Sequence, residues 1–257
     1  MIIELFGAPG VGKTTFAMAL NAHLQARGLA AELIQSYRPA EAAPPNGAPA
    51  ADPAAHHATA AVRRLIRPAF EMLSTAGHLL FNAHEAGIAA DLMRLLPPRD
   101  FLWSVRLRQY LLRLLHAWHR ASLSDHIVIF DQGFVQAVCS LVLLGRASDR
   151  ATVMRALEAI PRSDLLVCLD APIDILTERL AERERHQGRM ERLFELDLKT
   201  NLESVAIVED LCAALQLQGR HVARVQCADT RSLGPAVEAI EQEITAMSDT
   251  EQGMQVI

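Results

Sequence analysis

Gly7-Ala8-Pro9-Gly10-Val11-Gly12-Lys13-Thr14 is the stretch from which the rest of this 257-residue chain is read. An apolar run, Ile2-Ile3-Glu4-Leu5-Phe6, precedes it, and a helical pattern from Thr15 to Ala26 follows. Strand, glycine-rich turn and helix form the context that makes a G-x-x-x-x-G-K-T match a phosphate-binding loop. Gly7, Gly10 and Gly12 allow backbone conformations closed to residues with a Cβ, so successive N–H groups can converge on an anion. The helix that follows adds its N-terminal amides and its dipole. Lys13 then supplies a mobile positive charge for β- and γ-phosphates, and the Thr14 hydroxyl is the expected Mg²⁺ ligand. Gly7 through Thr15 are the expected contacts of a bound nucleotide.

Composition points to a packed globular protein. Hydrophobic residues make up 51% of the chain and the net charge is −5, which leaves no basic footprint for a nucleic acid polymer. Cys139, Cys168, Cys212 and Cys227 show no metal-ligand spacing, so they read as buried thiols in a reducing compartment. The N-terminus is already a strand, and no apolar run is long and uninterrupted enough to span a bilayer. A soluble cytoplasmic protein without a membrane partner is the expectation.

Further along, Ala30 to Ser36 reads as a second strand, followed by the turn Tyr37-Arg38-Pro39. Residues 40–61 are rich in Ala and Pro and have little to bury, so they read as a flexible loop. From 62 to 124 the pattern is helical. Leu107, Tyr110, Leu111, Leu114, Leu115 and Trp118 recur at spacings of three and four, an apolar stripe that serves as core or as a contact between two copies. Arg106, Arg108 and Arg113 flank it, and a solvated face is their ordinary role. Arg63, Arg64, Arg67, Arg106 and Arg108 are the candidates for a face turned toward the phosphates.

His126 to Asp131 and Asp164 to Asp170 are near-continuous apolar runs that end in an acid, as parallel strands buried on both faces do. A helix is expected over Phe134–Leu144, others over 149–160, 174–185 and 191–218, a last strand over 221–227, and a final helix over 233–247 followed by a frayed tail. Strands alternating with helices predict a three-layer α/β/α domain over 1–257 around a five-stranded parallel sheet. Arg38, Asp131, Asp170 and Asp229 each follow a strand, and ligands sit at the carboxyl ends of strands in such sheets.

Asp131 is the candidate Mg²⁺ ligand, directly or through water, or the base for an attacking hydroxyl; capping of the next helix is its structural alternative. Asp170 ranks behind it. In Arg179 to Arg192 arginines interleave with glutamates around Gly188, which reads either as a salt-bridged helix or as a hinged lid over 183–192.

With these residues in place the chain resembles the thymidylate kinase and deoxynucleoside kinase group of P-loop kinases. The matching pieces are residues 7–15, 127–133 and 167–191. The resemblance implies ATP and Mg²⁺ as cofactors, Arg179 beside the base, Arg183 and Arg189 on the phosphates, and Asp229 to Arg231 lining the purine pocket. Where the group carries an arginine after its acid, this chain has Gln132; where it commonly has Glu-Pro, this chain has Arg38-Pro39. Arg38 and Gln132 are therefore the candidate acceptor contacts, and the acceptor itself departs from the usual one. The expected activity is transfer of the ATP γ-phosphate to a nucleotide, nucleoside or other hydroxyl or phosphate acceptor. The competing expectation is a nucleotide-binding regulatory or assembly protein with slow hydrolysis.

Overall fold

The computed structural model describes residues 1–36, 83–145, 149–186, 198–227 and 229–254. In chain order the elements are β1 (Ile2–Gly7), α1 (Lys13–Ala26), β2 (Ala31–Ile34), α2 (Ala83–Leu95) and α3 (Phe101–Ser122). There follow β3 (Ile127–Phe130), α4 (Phe134–Leu144), α5 (Arg150–Ala159), β4 (Leu165–Asp170) and α6 (Ile173–His186). The chain continues with α7 (Leu198–Leu217), β5 (Val222–Gln226) and α8 (Thr230–Met254). The loop expected over 40–61, the first part of the helical region expected over 62–124, and most of the 183–192 lid lie outside the described residues.

All strand pairs are parallel and the order is β2-β3-β1-β4-β5. This is the three-layer α/β/α architecture expected of a P-loop nucleotide kinase-like chain. The pleat sends alternate side chains to opposite faces. Ile2, Phe6, Val128, Phe130, Leu166 and Cys168 join one core with residues of α2, α3, α4, α5 and α7. Ile3, Leu5, Ile129, Leu165, Val167 and Leu169 join the other with residues of α1 and α8. Coverage on both faces is why β3 and β4 read as near-continuous apolar runs.

The apolar stripe of α3 is taken up by the chain's own core. Leu107, Leu111, Leu114, Leu115 and Trp118 are buried, and the Trp118 ring lies 5.1 Å from Phe130 and 5.2 Å from Phe134, centroid to centroid. His116 and His119 are exposed. All four cysteines are buried and free.

Helix α1 closes as its sequence suggests, with Gly28 at φ +81°, Gly28 N donating to Gln25 O and Leu29 N to Leu24 O, the paired bonds of a left-handed C-terminal cap. The final helix departs from expectation at both ends. It begins at Thr230 rather than 233 and continues to Met254, where a frayed tail was expected. Asp229 sets the start: its Oδ1 accepts from Ser232 N at 2.8 Å, and such a cap outweighs the helix-breaking character of the Gly234-Pro235 pair. Within the described residues no helix is long and apolar enough to cross a membrane.

Candidate phosphate-transfer site

The loop after β1 is built as its spacing demands. Gly12 is the N-cap of α1 with φ +100° and Gly10 has φ +82°, both in the left-handed region that only glycine enters freely. Gly7 is required for a different reason, since a Cβ there would lie 2.5 Å from the carbonyl oxygen of Leu169 on β4. Lys13 is the first residue of α1 and is buried; its Nζ donates to Gly7 O at 2.7 Å and to Ala8 O at 3.0 Å. The ammonium is thereby curled back over the loop. Thr15 is exposed and Thr14 half-buried.

Asp131 follows β3 and is 1% exposed. Its Oδ2 accepts from Thr14 Oγ1 at 3.2 Å and its Oδ1 from Ser36 N at 2.7 Å. Three elements therefore meet at one carboxylate: the loop–α1 junction, the end of β2 and the end of β3. Asp131 does not cap the next helix, because both oxygens are engaged elsewhere. The N-cap of α4 is Gly133, with no side-chain cap bond of its own. A hydroxyl and a carboxylate oxygen in contact are hard donors of the kind Mg²⁺ takes, with its remaining positions left to water and phosphate oxygens. The donor set thus fits the metal.

The turn Asp131-Gln132-Gly133 is held from above by Tyr110 of α3. Tyr110 OH and Ser36 Oγ each donate to Gln132 O at 3.2 Å. Burial pushes the phenol far above its usual range, a bond with Ser36 works against this, and the charges of Glu4 and Asp131 reinforce it. Tyr110 is a fixed neutral donor. Gln132 is half-buried at the same turn.

On the nucleotide side, Nη1 of Arg179 in α6 lies 3.3 Å from Gly10 O, from Val11 O and from Cys227 O. The guanidinium ties the outside of the loop to the end of β5. Asp229 is exposed, and its carboxyl is held below the usual range, first by the Ser232 N–H, then by the Ser232 hydroxyl, with Arg179 contributing. Asp170 turns toward β5, where its Oδ2 accepts from Gln226 Nε2 at 3.3 Å. Arg38 and Arg189 lie outside the described residues, as do Arg63, Arg64 and Arg67 and the side chain of Arg183.

Sequence reasoning passed over two residues beneath the site, Glu4 and Gln136. Glu4 is fully buried in the middle of β1, and its Oε1 accepts from Val135 N in the first turn of α4. Its Oε2 has no hydrogen-bond partner among the described residues. Burial raises its pKa from 4.5 to about 7; the Val135 amide, Arg220 and the Gln136 amide pull it down. Gln136 is buried in α4, and its Oε1 accepts from Gly7 N at 3.1 Å. The usable signal was a carboxyl or amide inside a largely apolar element, since such a group, once buried, must find a partner.

The Glu4 shift has a stability consequence with a definite sign. The folded chain holds this proton more tightly than the unfolded one. The contribution is therefore fully present below about pH 4.5 and lost as pH rises through about 7. Glu4→Gln removes the loss, so the variant gains on wild type by about 2–3 kcal/mol between about pH 5 and pH 8. Denaturant unfolding at both pH values measures it, and a difference independent of pH refutes the shift.

The model of the family described as "AAA domain" matches residues 2–206. Among curated proteins none matches the chain. Among solved structures it is similar to that of a deoxyadenosine kinase from M. mycoides with bound dCTP, at 14% identity and a TM-score of 0.47, covering 96% of this chain and 100% of that one.

Proposed function

We propose, from the premise that this chain belongs to the AAA-domain family whose model covers residues 2–206, that it is an ATP-dependent small-molecule kinase. The reaction is transfer of the ATP γ-phosphate to a hydroxyl or phosphate oxygen of a nucleotide, nucleoside or other small acceptor. The observation that carries the reading is the contact of Thr14 Oγ1 with Asp131 Oδ2 at 3.2 Å, beside a glycine-built loop that feeds a helix N-terminus.

Each group has a part in this reading. The loop amides and Lys13 bind the phosphates and offset the charge that develops on the transferred group. Thr14 and Asp131 would hold Mg²⁺, which when bound would supply positive charge to the phosphates. Arg179 lies beside the base in this reading, and its hold on the loop and on the end of β5 supports that role. Arg183 and Arg189 close over the phosphates and exclude water. Gln132 and Arg38 face the acceptor. A glutamine where the resembling kinases have arginine favours an acceptor that presents hydrogen-bonding groups at that point rather than a phosphate.

The test is ATP turnover with Mg²⁺ against a panel of nucleosides, nucleoside monophosphates and other hydroxylated metabolites, with ADP and the phosphorylated product both measured. Acceptor-dependent ADP formation with matching product is the expected result. Phosphate release at the same rate with and without every acceptor would replace the kinase by a nucleotide-hydrolysing switch.

A further inference from the structure

We propose that Glu4 and Gln136 are positioning residues: as a reciprocal pair they brace the phosphate loop against the acid turn and so hold Asp131 against Thr14. The inference deepens the reading of the site as a Mg²⁺–ATP site and rests on it.

Two elements exchange hydrogen bonds in opposite directions. From α4, Gln136 reaches down to accept the N–H of Gly7, the first residue of the loop. From β1, Glu4 reaches up to accept the N–H of Val135, the neighbour of Gln136. Both bonds are buried and both are long-range, spanning 129 and 131 residues. Neither is needed to form its own element. A β-strand donates and accepts within its sheet, and a helix N-terminus is ordinarily capped by its own preceding residue. Here that residue is Gly133, which has no side chain, and the strand supplies the oxygen instead.

What the pair joins is specific. Gly7 begins the loop that ends in Lys13 and Thr14. Val135 lies just past the turn that begins with Asp131. The turn closes down tightly on Glu4, because a Cβ on Gly133 would stand 2.4 Å from Glu4 Cγ and Cδ. Tyr110 and Ser36 hold the same turn through Gln132 O. Pairing of Glu4 with Phe130 fixes the strand immediately before Asp131. With the turn held at Phe130, Gln132 and Val135, Asp131 has little freedom relative to the loop. A carboxylate that must meet a hydroxyl and a metal within tenths of an ångström gains from such support.

The measurement is the affinity for ATP by calorimetry, once with Mg²⁺ and once with a chelator, for wild type, Gln136→Met, Glu4→Leu and Glu4→Gln. The ratio of the two dissociation constants reports how well Thr14 and Asp131 are placed for the metal. Thermal midpoints are recorded in parallel. Gln136→Met keeps the volume and loses the amide that accepts from Gly7 N–H; Glu4→Leu likewise loses the carboxyl that accepts from Val135 N–H. Both are expected to cut the Mg²⁺-dependent gain by about tenfold. Glu4→Gln retains an oxygen for Val135 N–H and stays within about twofold of wild type.

Folded Gln136→Met with the wild-type ratio overturns the brace, whatever its midpoint. If Glu4→Leu does not fold, Gln136→Met decides alone. Wild type that binds no ATP in either buffer overturns the site reading and the brace with it. Wild type that binds while the variants keep its ratio overturns the brace only.

Discussion

Lys13→Ala abolishes acceptor-dependent ATP turnover, with kcat lower by at least about 10²- to 10³-fold, while the unfolding midpoint moves little. Position explains both halves of the result. Lys13 is the first residue of α1, and alanine is the better helix former. The side chain makes no core of its own, so its loss opens no large cavity. Its Nζ donates to Gly7 O and Ala8 O, and those two carbonyls orient the ammonium along the loop. Removing it costs the fold the net worth of two hydrogen bonds, partly offset by no longer burying an ammonium, roughly 1–2 kcal/mol. The site loses the ammonium curled over the loop, where phosphate charge must be met in a partly dehydrated space. Lys13→Arg is no substitute, because a planar fork cannot be curled over two successive carbonyls as a compact ammonium can. Steady-state rates, calorimetric ATP affinity and thermal unfolding on the same preparations check the outcome. Turnover that survives in folded Lys13→Ala removes the loop from the chemistry.

The loop was legible because its chemistry is written in consecutive residues. Fixed glycine spacing, an ammonium and a hydroxyl leave a signature that no distant partner is needed to complete. Strands β3 and β4 were legible for a related reason: burial on both faces leaves an apolar run, and the acid that ends each run stands out. Asp131 could be singled out on those grounds, although its contacts with Thr14 and Ser36 join residues 117 and 95 positions away.

What could not be read depends on partners that carry no sequence mark. Glu4 accepts from a backbone amide, and any residue supplies one. The same holds for Gln136, whose partner is the amide of Gly7. Tyr110 was read for its ring, as part of the α3 stripe; its hydroxyl, aimed at Gln132 O, belongs to the site. The start of α8 was misplaced because Gly234-Pro235 weighs against a helix locally, whereas the Asp229–Ser232 cap fixes the turn before it. In each case a bond between a side chain and the main chain decided the outcome.

Asp131→Asn lowers kcat by about 10²-fold or more and weakens ATP binding by less than about tenfold. The substitution is close to isosteric, and the carboxamide can satisfy the same neighbours. Its oxygen takes the Ser36 N–H, leaving its NH₂ toward Thr14 Oγ1, which turns to accept. The turn is then kept, and what is lost is one negative charge. Nucleotide affinity rests mostly on the loop amides and Lys13, so it survives. The rate depends on how charge is arranged around the transferred group, so it falls. The two roles open to Asp131 part at this point. If it holds Mg²⁺, raising the metal concentration restores part of the rate in Asp131→Asn, because weaker occupancy is overcome by mass action. If it takes the proton of an attacking hydroxyl, added metal restores nothing. An unchanged kcat in Asp131→Asn would leave the contact with Thr14 a structural bond, and the site would then lack the carboxylate on which its chemistry turns.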